Sequence, residues 1–283
     1  MDESHPDVTP RTVPIVLICY VCAMRTPIFQ IDAFSDEKFA GNPAAVMPLD
    51  AFPDDTLMQA IARENNLAET AFVVSNGSGW NLRWFTPGAE VPLCGHATLA
   101  TAWVVSERLA PGTSEMVFHT KSGQLHVRRN GDRFVMNFPR RNAQPFNAPE
   151  ELVAALGAVP QVTLRDELNV MAVFENPSTV RGLKPDLRAI ARLTRGTIVT
   201  APGDRGYDCV SRYFAPAQGV DEDPVTGSAH CALAPYWCER LGKKEIRAYQ
   251  ASPRGGALTC RWLGERVELE GSCAFYMEGT AEI

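Results

Sequence analysis

Apolar and polar residues alternate with period two over Phe29–Phe34, which predicts a strand. Thr70–Ser75 and Trp80–Phe85 predict two more, joined by the turn residues Asn76–Gly79. Val117–His119, Gln124–Arg129 and Arg133–Phe138 extend the series, the last two as a hairpin around Asn130-Gly131. Helical spacing starts at Pro53-Asp54-Asp55, with Leu57, Met58 and Ile61 on one face and acids in the first turn. A second helix begins at Gly95 and ends before Pro111-Gly112. Its apolar residues Ala97, Leu99, Ala100, Ala102, Trp103 and Val104 cover most of its circumference, so it is expected to be buried with the sheet wrapped round it.

The chain then repeats itself. Asn42–Val46 returns as Asn176–Val180, Ala60–Arg63 as Ala189–Arg192, and Arg83–Pro87 as Arg212–Pro216. Pro92–Ala97 returns as Pro224–Ala229, and Gly123, Gly131 and Arg133 return as Gly256, Gly264 and Arg266. All five matches fall in the same order about 130 residues on, a period that means two similar domains rather than a solenoid. The second copy again holds a helix, from Ser228 to a closing Gly242. The expected division is an N-terminal extension over 1–26, a first domain over 27–142 and a second over 143–274. The proline-rich stretch 138–149 is the linker, and a last strand near Ala274–Met277 is expected to cross back to the first half over 275–283. The fold class is therefore α+β.

Composition narrows the function. At 283 residues the chain holds about two domains. With 45% hydrophobic and 21% charged residues it is neither disordered nor fibrous. The net charge of −6 and the lack of any Lys/Arg run exclude a sequence-independent nucleic-acid binder. The eight cysteines are scattered, so free thiols and a cytoplasmic location are expected. Cys19 and Cys22 have CxxC spacing but sit within the apolar run Val13–Met24 without a second pair. That run is shorter than the ~20 residues a membrane span needs. It reads as a signal-like segment or as sequence upstream of a start at Met24; the second reading is adopted, and no membrane association is expected.

The repeated Gly-containing helix start carries the candidate chemistry. Free N–H groups at a helix N-terminus favour an anion, and Gly95 and Gly227 let a ligand approach closely. Two such starts facing each other across a cleft suit a small carboxylate. The two copies differ in their side chains. The first start has Cys94 and His96; the second has Asp223, Thr226 and Ser228. Upstream, Glu69-Thr70 aligns with Gly196-Thr197, so a carboxylate stands where the other copy has glycine. Taken singly, each of these residues has an ordinary structural use, as a solvated acid, a cap or a buried thiol.

Taken together they resemble a family. Pro27–Phe34 followed by Phe39–Val46, then Asn66–Phe72, Leu93–Thr98 and Glu222–Ala229, resemble the motifs of the PhzF-like phenazine-biosynthesis proteins, and the resemblance covers 25–283. It implies the diaminopimelate-epimerase-like fold: two pseudo-symmetric domains, each a mixed sheet curled round a central helix, with the active site between them. It also implies Glu69 as acid/base catalyst, assisted by His96 and Asp223, with Gly95, Gly227 and Ser228 binding substrate. Epimerases of this fold use two cysteines; here Cys94 holds one place and Thr226 the other, which disfavours two-thiol racemisation. The reaction expected is cofactor-independent isomerisation, in which Glu69 takes a proton from one carbon of a small carboxylate-bearing metabolite and returns it to another. The alternatives are amino-acid racemisation or epimerisation on the same fold, and metabolite binding without turnover. None of the five lysines lies in these motifs, which argues against pyridoxal phosphate, and no GxGxxG, Walker or zinc pattern occurs. No cofactor, metal, nucleic acid or membrane partner is expected, and a homodimer is the expected assembly.

Overall fold

The computed structural model describes residues 25–283. The run Val13–Met24, with Cys19 and Cys22, lies outside the described residues. The first half comprises β1 (Arg25–Ala33), β2 (Asn42–Leu49), helix α1 (Asp55–Asn65), β3 (Glu69–Ser75), β4 (Trp80–Phe85) and β5 (Glu90–Val91). Helix α2 (Gly95–Val104) follows and widens into a π-helical turn over Val105–Leu109. Strands β6 (Glu115–Thr120), β7 (Gly123–Asn130) and β8 (Arg133–Pro139) come next. The stretch read as a linker contains the two-residue β9 (Gln144–Pro145) and leads into α3 (Glu150–Leu156), β10 (Val162–Arg165) and β11 (Asn169–Val173). Helices α4 (Pro177–Gly182) and α5 (Leu187–Leu193) precede β12 (Gly196–Pro202) and β13 (Cys209–Phe214). Helix α6 (Gly227–Leu241) and strands β14 (Glu245–Gln250), β15 (Gly256–Leu263) and β16 (Arg266–Glu282) complete the chain.

Local signals account for the helix ends. Asp54 caps α1 by accepting from Leu57 N at 2.9 Å, and Asn66 closes it in the left-handed region. Gly242 closes α6 in the same way. Pro235 inside α6 has no N–H for the carbonyl of Cys231. That carbonyl instead accepts the Arg141 N–H at 3.0 Å, which fastens the segment between the halves onto the second helix.

In the first half the strands run β1-β2-β3-β4-β6-β7-β8-β16, and β16 returns to β1, closing a ring. Helix α2 fills it, with all its residues from His96 to Ala102 buried. Its threonines stay satisfied by bonding back along the helix, as Thr101 Oγ1 does to Ala97 O at 2.7 Å. The second half runs β16-β15-β14-β13-β12-β11-β10-β9 and curls round α6 without closing. Both sheets are mixed: β2–β3, β4–β6, β11–β12 and β13–β14 are parallel pairs among antiparallel ones.

The final strand differs from its sequence reading. Instead of a hairpin arm followed by a separate short strand, β16 runs unbroken for 17 residues. Its first part pairs with β8 and β15, and Cys273–Glu282 pairs with β1. Gly271 lies at the change of partner, where a Cβ would sit 2.4 Å from the Phe34 ring. The repeat also needs one correction. Ala44 pairs with Glu69 and Asn169 pairs with Gly196, so Ala44 and Asn169 are the equivalent positions. Asn42 opens β2 whereas Asn176 caps α4, and their shared Asn-Pro is a coincidence. The other matched segments fall on equivalent elements.

Candidate active site

The two apolar helices meet at their N-termini. A Cβ on Gly95 would lie 3.7 Å from Gly227 Cα, so the unpaired N–H groups of both first turns open on one place between the halves. Strand β3 begins beside it. Its inward positions Ala71 and Val73 pack in the core with α2, and the same alternation turns Glu69 toward the helix start.

Glu69 Oε2 lies 3.0 Å from His96 Nε2. Both atoms are buried, and neither has a well-aligned hydrogen bond within the described residues. The pair is thus a buried electrostatic approach. On its other edge, His96 Nδ1 lies 3.5 Å from Cys94 Sγ and 3.2 Å from Asn42 Nδ2. Asn42 Nδ2 also donates to Asp223 Oδ1 at 2.7 Å and to Val225 O at 3.0 Å. The Thr226 hydroxyl donates to the other oxygen of Asp223. One polar chain therefore runs from Glu69 through His96 and Asn42 to Asp223 and Thr226, joining the two halves.

The loop that presents Asp223 is held from behind. Gln250, fully buried on β14, donates to Asp223 O at 2.7 Å and accepts from Thr226 N at 2.9 Å. Glu222 forms a bidentate pair with Arg212 at 2.7 and 2.8 Å. Ser228 stands apart from this network: it is exposed, and its side chain makes no hydrogen bond among the described residues. The sequence reading missed Asn42 and Gln250 as site residues. Asn42 was noticed in a repeat that turned out false and within the Phe39–Val46 motif, but was given no role there, and a polar residue at a strand end carries no signal of its own.

The electrostatics follow from this geometry. Burial opposes a charge on His96, but the Cys94 sulfur beside Nδ1 and the Glu69 carboxylate beside Nε2, both able to attract a ring proton, outweigh it, and its pKa is raised well above 6.5. Burial raises Asp223 to about 6; Glu69 adds to the rise, while His96, Thr226 and Asn42 oppose it. Burial, aided by Glu69, raises the Cys94 thiol above its ordinary value, so it keeps its proton at neutral pH. Glu69, Cys94 and His96 offer donor atoms within 4.8 Å of one another. They address different ring nitrogens of His96, whose lone pairs diverge, so the trio does not define one coordination centre.

The second half holds no counterpart to Glu69. At Gly196, a Cβ would lie 2.3 Å from the Tyr213 hydroxyl and 2.4 Å from Asn169 Oδ1. Those two groups are hydrogen-bonded to each other at 3.0 Å and fill the place a carboxylate would need.

Twin curled sheets whose central helices meet at two glycines place the chain in the epimerase-like class of α+β folds. The family model described as phenazine biosynthesis-like protein matches residues 31–279, and the chain belongs to that family. It is 50% identical to an uncharacterized isomerase of Pseudomonas aeruginosa over 92% of this chain and 100% of that protein. A crystal structure of a phenazine biosynthesis protein of the PhzF family from Enterococcus faecalis superposes with a TM-score of 0.88 at 41% identity, covering 92% of this chain and 100% of that one. A hydroxyproline epimerase from Agrobacterium vitis shares the fold alone, with a TM-score of 0.60 at 8% identity, covering 92% and 93% of the two chains. Among the described residues no helix is long and apolar enough to cross a membrane.

Proposed function

We propose that this protein is an isomerase that moves a proton between two carbons of a small carboxylate-bearing metabolite, with Glu69 as the acid/base group. The observation that carries the reading is a buried glutamate oxygen without a well-aligned hydrogen bond, beside His96 and next to the meeting point of two helix N-termini. The helix starts are suited to the substrate's carboxylate and to charge that develops during reaction. Glu69 removes a proton from a carbon made acidic by an adjacent unsaturated or carboxylate-bearing group. The electron pair left behind shifts into that group, the double bond moves, and Glu69 delivers a proton to the new carbon, having traded the one it took with solvent in part of the turnovers. Nothing is oxidised or reduced. His96 steers the proton at Glu69, and Asp223 serves from the opposite half.

A single-base reaction is preferred to two-base racemisation for two reasons. Cys94 keeps its proton, and the position equivalent to Glu69 is glycine backed by Tyr213 and Asn169. Ser228, exposed on the first turn of α6, is placed to meet a ligand rather than to support the network. The description of relatives as isomerases agrees with this reading. The test is NMR of the purified protein in deuterated water against small unsaturated carboxylic acids. One or more should exchange a carbon-bound proton with wild type and none with Glu69→Gln. Exchange retained in the variant removes Glu69 from the role.

A further inference from the structure

The turn after β14 departs from its counterpart in the first half. Gly123 and Gly256 open the equivalent strands β7 and β15, and the turn before each holds a serine that braces a proline. Ser122 Oγ donates to Pro92 O at 2.7 Å, and Ser252 Oγ donates to Pro224 O at 2.9 Å. The turns differ in length. Lys121 and Ser122 alone separate β6 from β7, and Lys121 pairs with Glu90 of its own half. Residues 251–255 separate β14 from β15. The added length carries Arg254 into the first half. Its Nη2 donates to Asp32 Oδ1 at 2.7 Å and to Ala40 O at 3.1 Å, and its Nε donates to Gly41 O at 2.8 Å. Beside it, Gly255 O accepts the Gly41 N–H at 2.7 Å. Asp32, which is buried, accepts the Phe39 N–H on its other oxygen at 2.8 Å, so the segment Phe39–Gly41 is gripped from both halves.

Asn42 follows Gly41 directly, and its two N–H groups go to Asp223 Oδ1 at 2.7 Å and Val225 O at 3.0 Å. Pro224, which Ser252 holds, lies between those two acceptors. One turn of the second half therefore holds both sides of the contact that joins the halves at the site. The packing there leaves little slack: a Cβ on Gly256 would lie 2.4 Å from Val225 Cγ2 and 2.9 Å from Phe34 O. We propose that Arg254 is a positioning residue that seats Asn42 of the first half against Asp223 of the second. The role rests on the reading of Asp223 as a site residue. A planar guanidinium holds a carboxylate and two carbonyls in fixed directions, where an ammonium is a mobile point charge. The groups that bear on the charge of Asp223 are His96 and Glu69 of the first half and its two donors, Thr226 and Asn42. Arg254 bonds to Asp32, Ala40 and Gly41 rather than to Asp223, so its influence there passes through Asn42.

Carboxyl 13C spectra of the full-length protein, recorded without ligand across pH, read the titration of Asp223, whose signal is assigned by its loss in Asp223→Asn. Arg254→Lys keeps a charge beside Asp32 but loses the fork. Asn42 should then donate less well, and because its bond favours the ionised carboxylate, the Asp223 midpoint should rise by about half a unit to one unit. In Asn42→Ala the midpoint should rise at least as far, and adding Arg254→Lys to that variant should move it no further. A midpoint unmoved in Arg254→Lys, even with lower stability in urea, overturns the role, as does one moved equally when Asn42 is absent. Should Asn42→Ala not fold, Ser252→Ala decides: it frees Pro224 on the other side of the contact and should also raise the midpoint, and no rise overturns the role. None of these readings involves a substrate, so their failure is distinct from that of the Glu69→Gln exchange test.

Discussion

At the start of β3 the first half carries Glu69; at the start of β12 the second half carries Gly196. The strands around these positions pair alike, Thr70 with Phe85 and Thr197 with Phe214, and each faces the start of an apolar helix. The backbone is duplicated but the chemistry is not. Where the first half buries a carboxylate beside His96, the second fills the space with a hydrogen-bonded tyrosine and asparagine. The halves also differ in closure: the first is a ring because β16 returns to β1, and the second stays open at β9. The duplicated scaffold thus carries Glu69 and Asn42 on the closed half and, on the open one, the loop whose Asp223 accepts from Asn42 and is held from behind by Gln250.

The sharpest way to break this comparison is to make the halves alike. Glu69→Gly copies the second half into the first and should lower exchange of any accepted substrate by about 10²–10⁴-fold while the protein stays folded. A loss of folding instead would mean that Glu69 is structural.

The second-largest effect is in pH. His230, on α6, is buried and its pKa is lowered to about 4, so its stabilising share is present above 6.5 and is lost as pH falls toward 4. Asp223 has the opposite sign: raised from 3.8 to about 6, it contributes fully below 3.8 and loses that contribution as pH rises through 6. Between pH 4 and 6 the two slopes oppose, and urea midpoints of the wild type should change little. Asp223→Asn leaves His230 unopposed and should lose on the order of 3 kcal/mol over that window as pH falls. A wild type as acid-sensitive as the variant would contradict the assignment.

Gly196→Ala comes next. Its Cβ collides with Tyr213 and Asn169, and the misfit should cost about 1–3 kcal/mol in denaturant unfolding. No loss would show that the tyrosine–asparagine plug is loose. The smallest effect belongs to Gly95→Ala. The new Cβ would make only ordinary contact with Gly227, so stability should stay within about 0.5 kcal/mol of wild type. Any fall in exchange beyond that would then report ligand approach at the helix starts, not folding.

Much of this was legible in the sequence. Trp80–Phe85 was read to the residue because it is short and bounded by turn chemistry. The α2 helix was read as buried because apolar residues surround it, though its π-helical end was not foreseen. Glu69, His96 and the two glycines were singled out by comparing the copies and given roles only by the resemblance; the structure brings them together at one place between the halves. Asn42 escaped because its neighbours in sequence explain nothing about it; Asp223 lies 181 positions away.

Pattern and punctuation along the chain determined the strands, the two buried helices, the twofold plan and which ionisable residues break its symmetry. These depend on interactions among residues a few positions apart, and the period of the chain displays them. Only the tertiary structure decided that β16 closes one half and not the other, that Tyr213 occupies the place opposite Gly196, and that a single amide bridges His96 and Asp223. Those are contacts between segments far apart in the sequence. They are settled when both sheets pack against their helices at once, a condition that no local stretch of sequence contains.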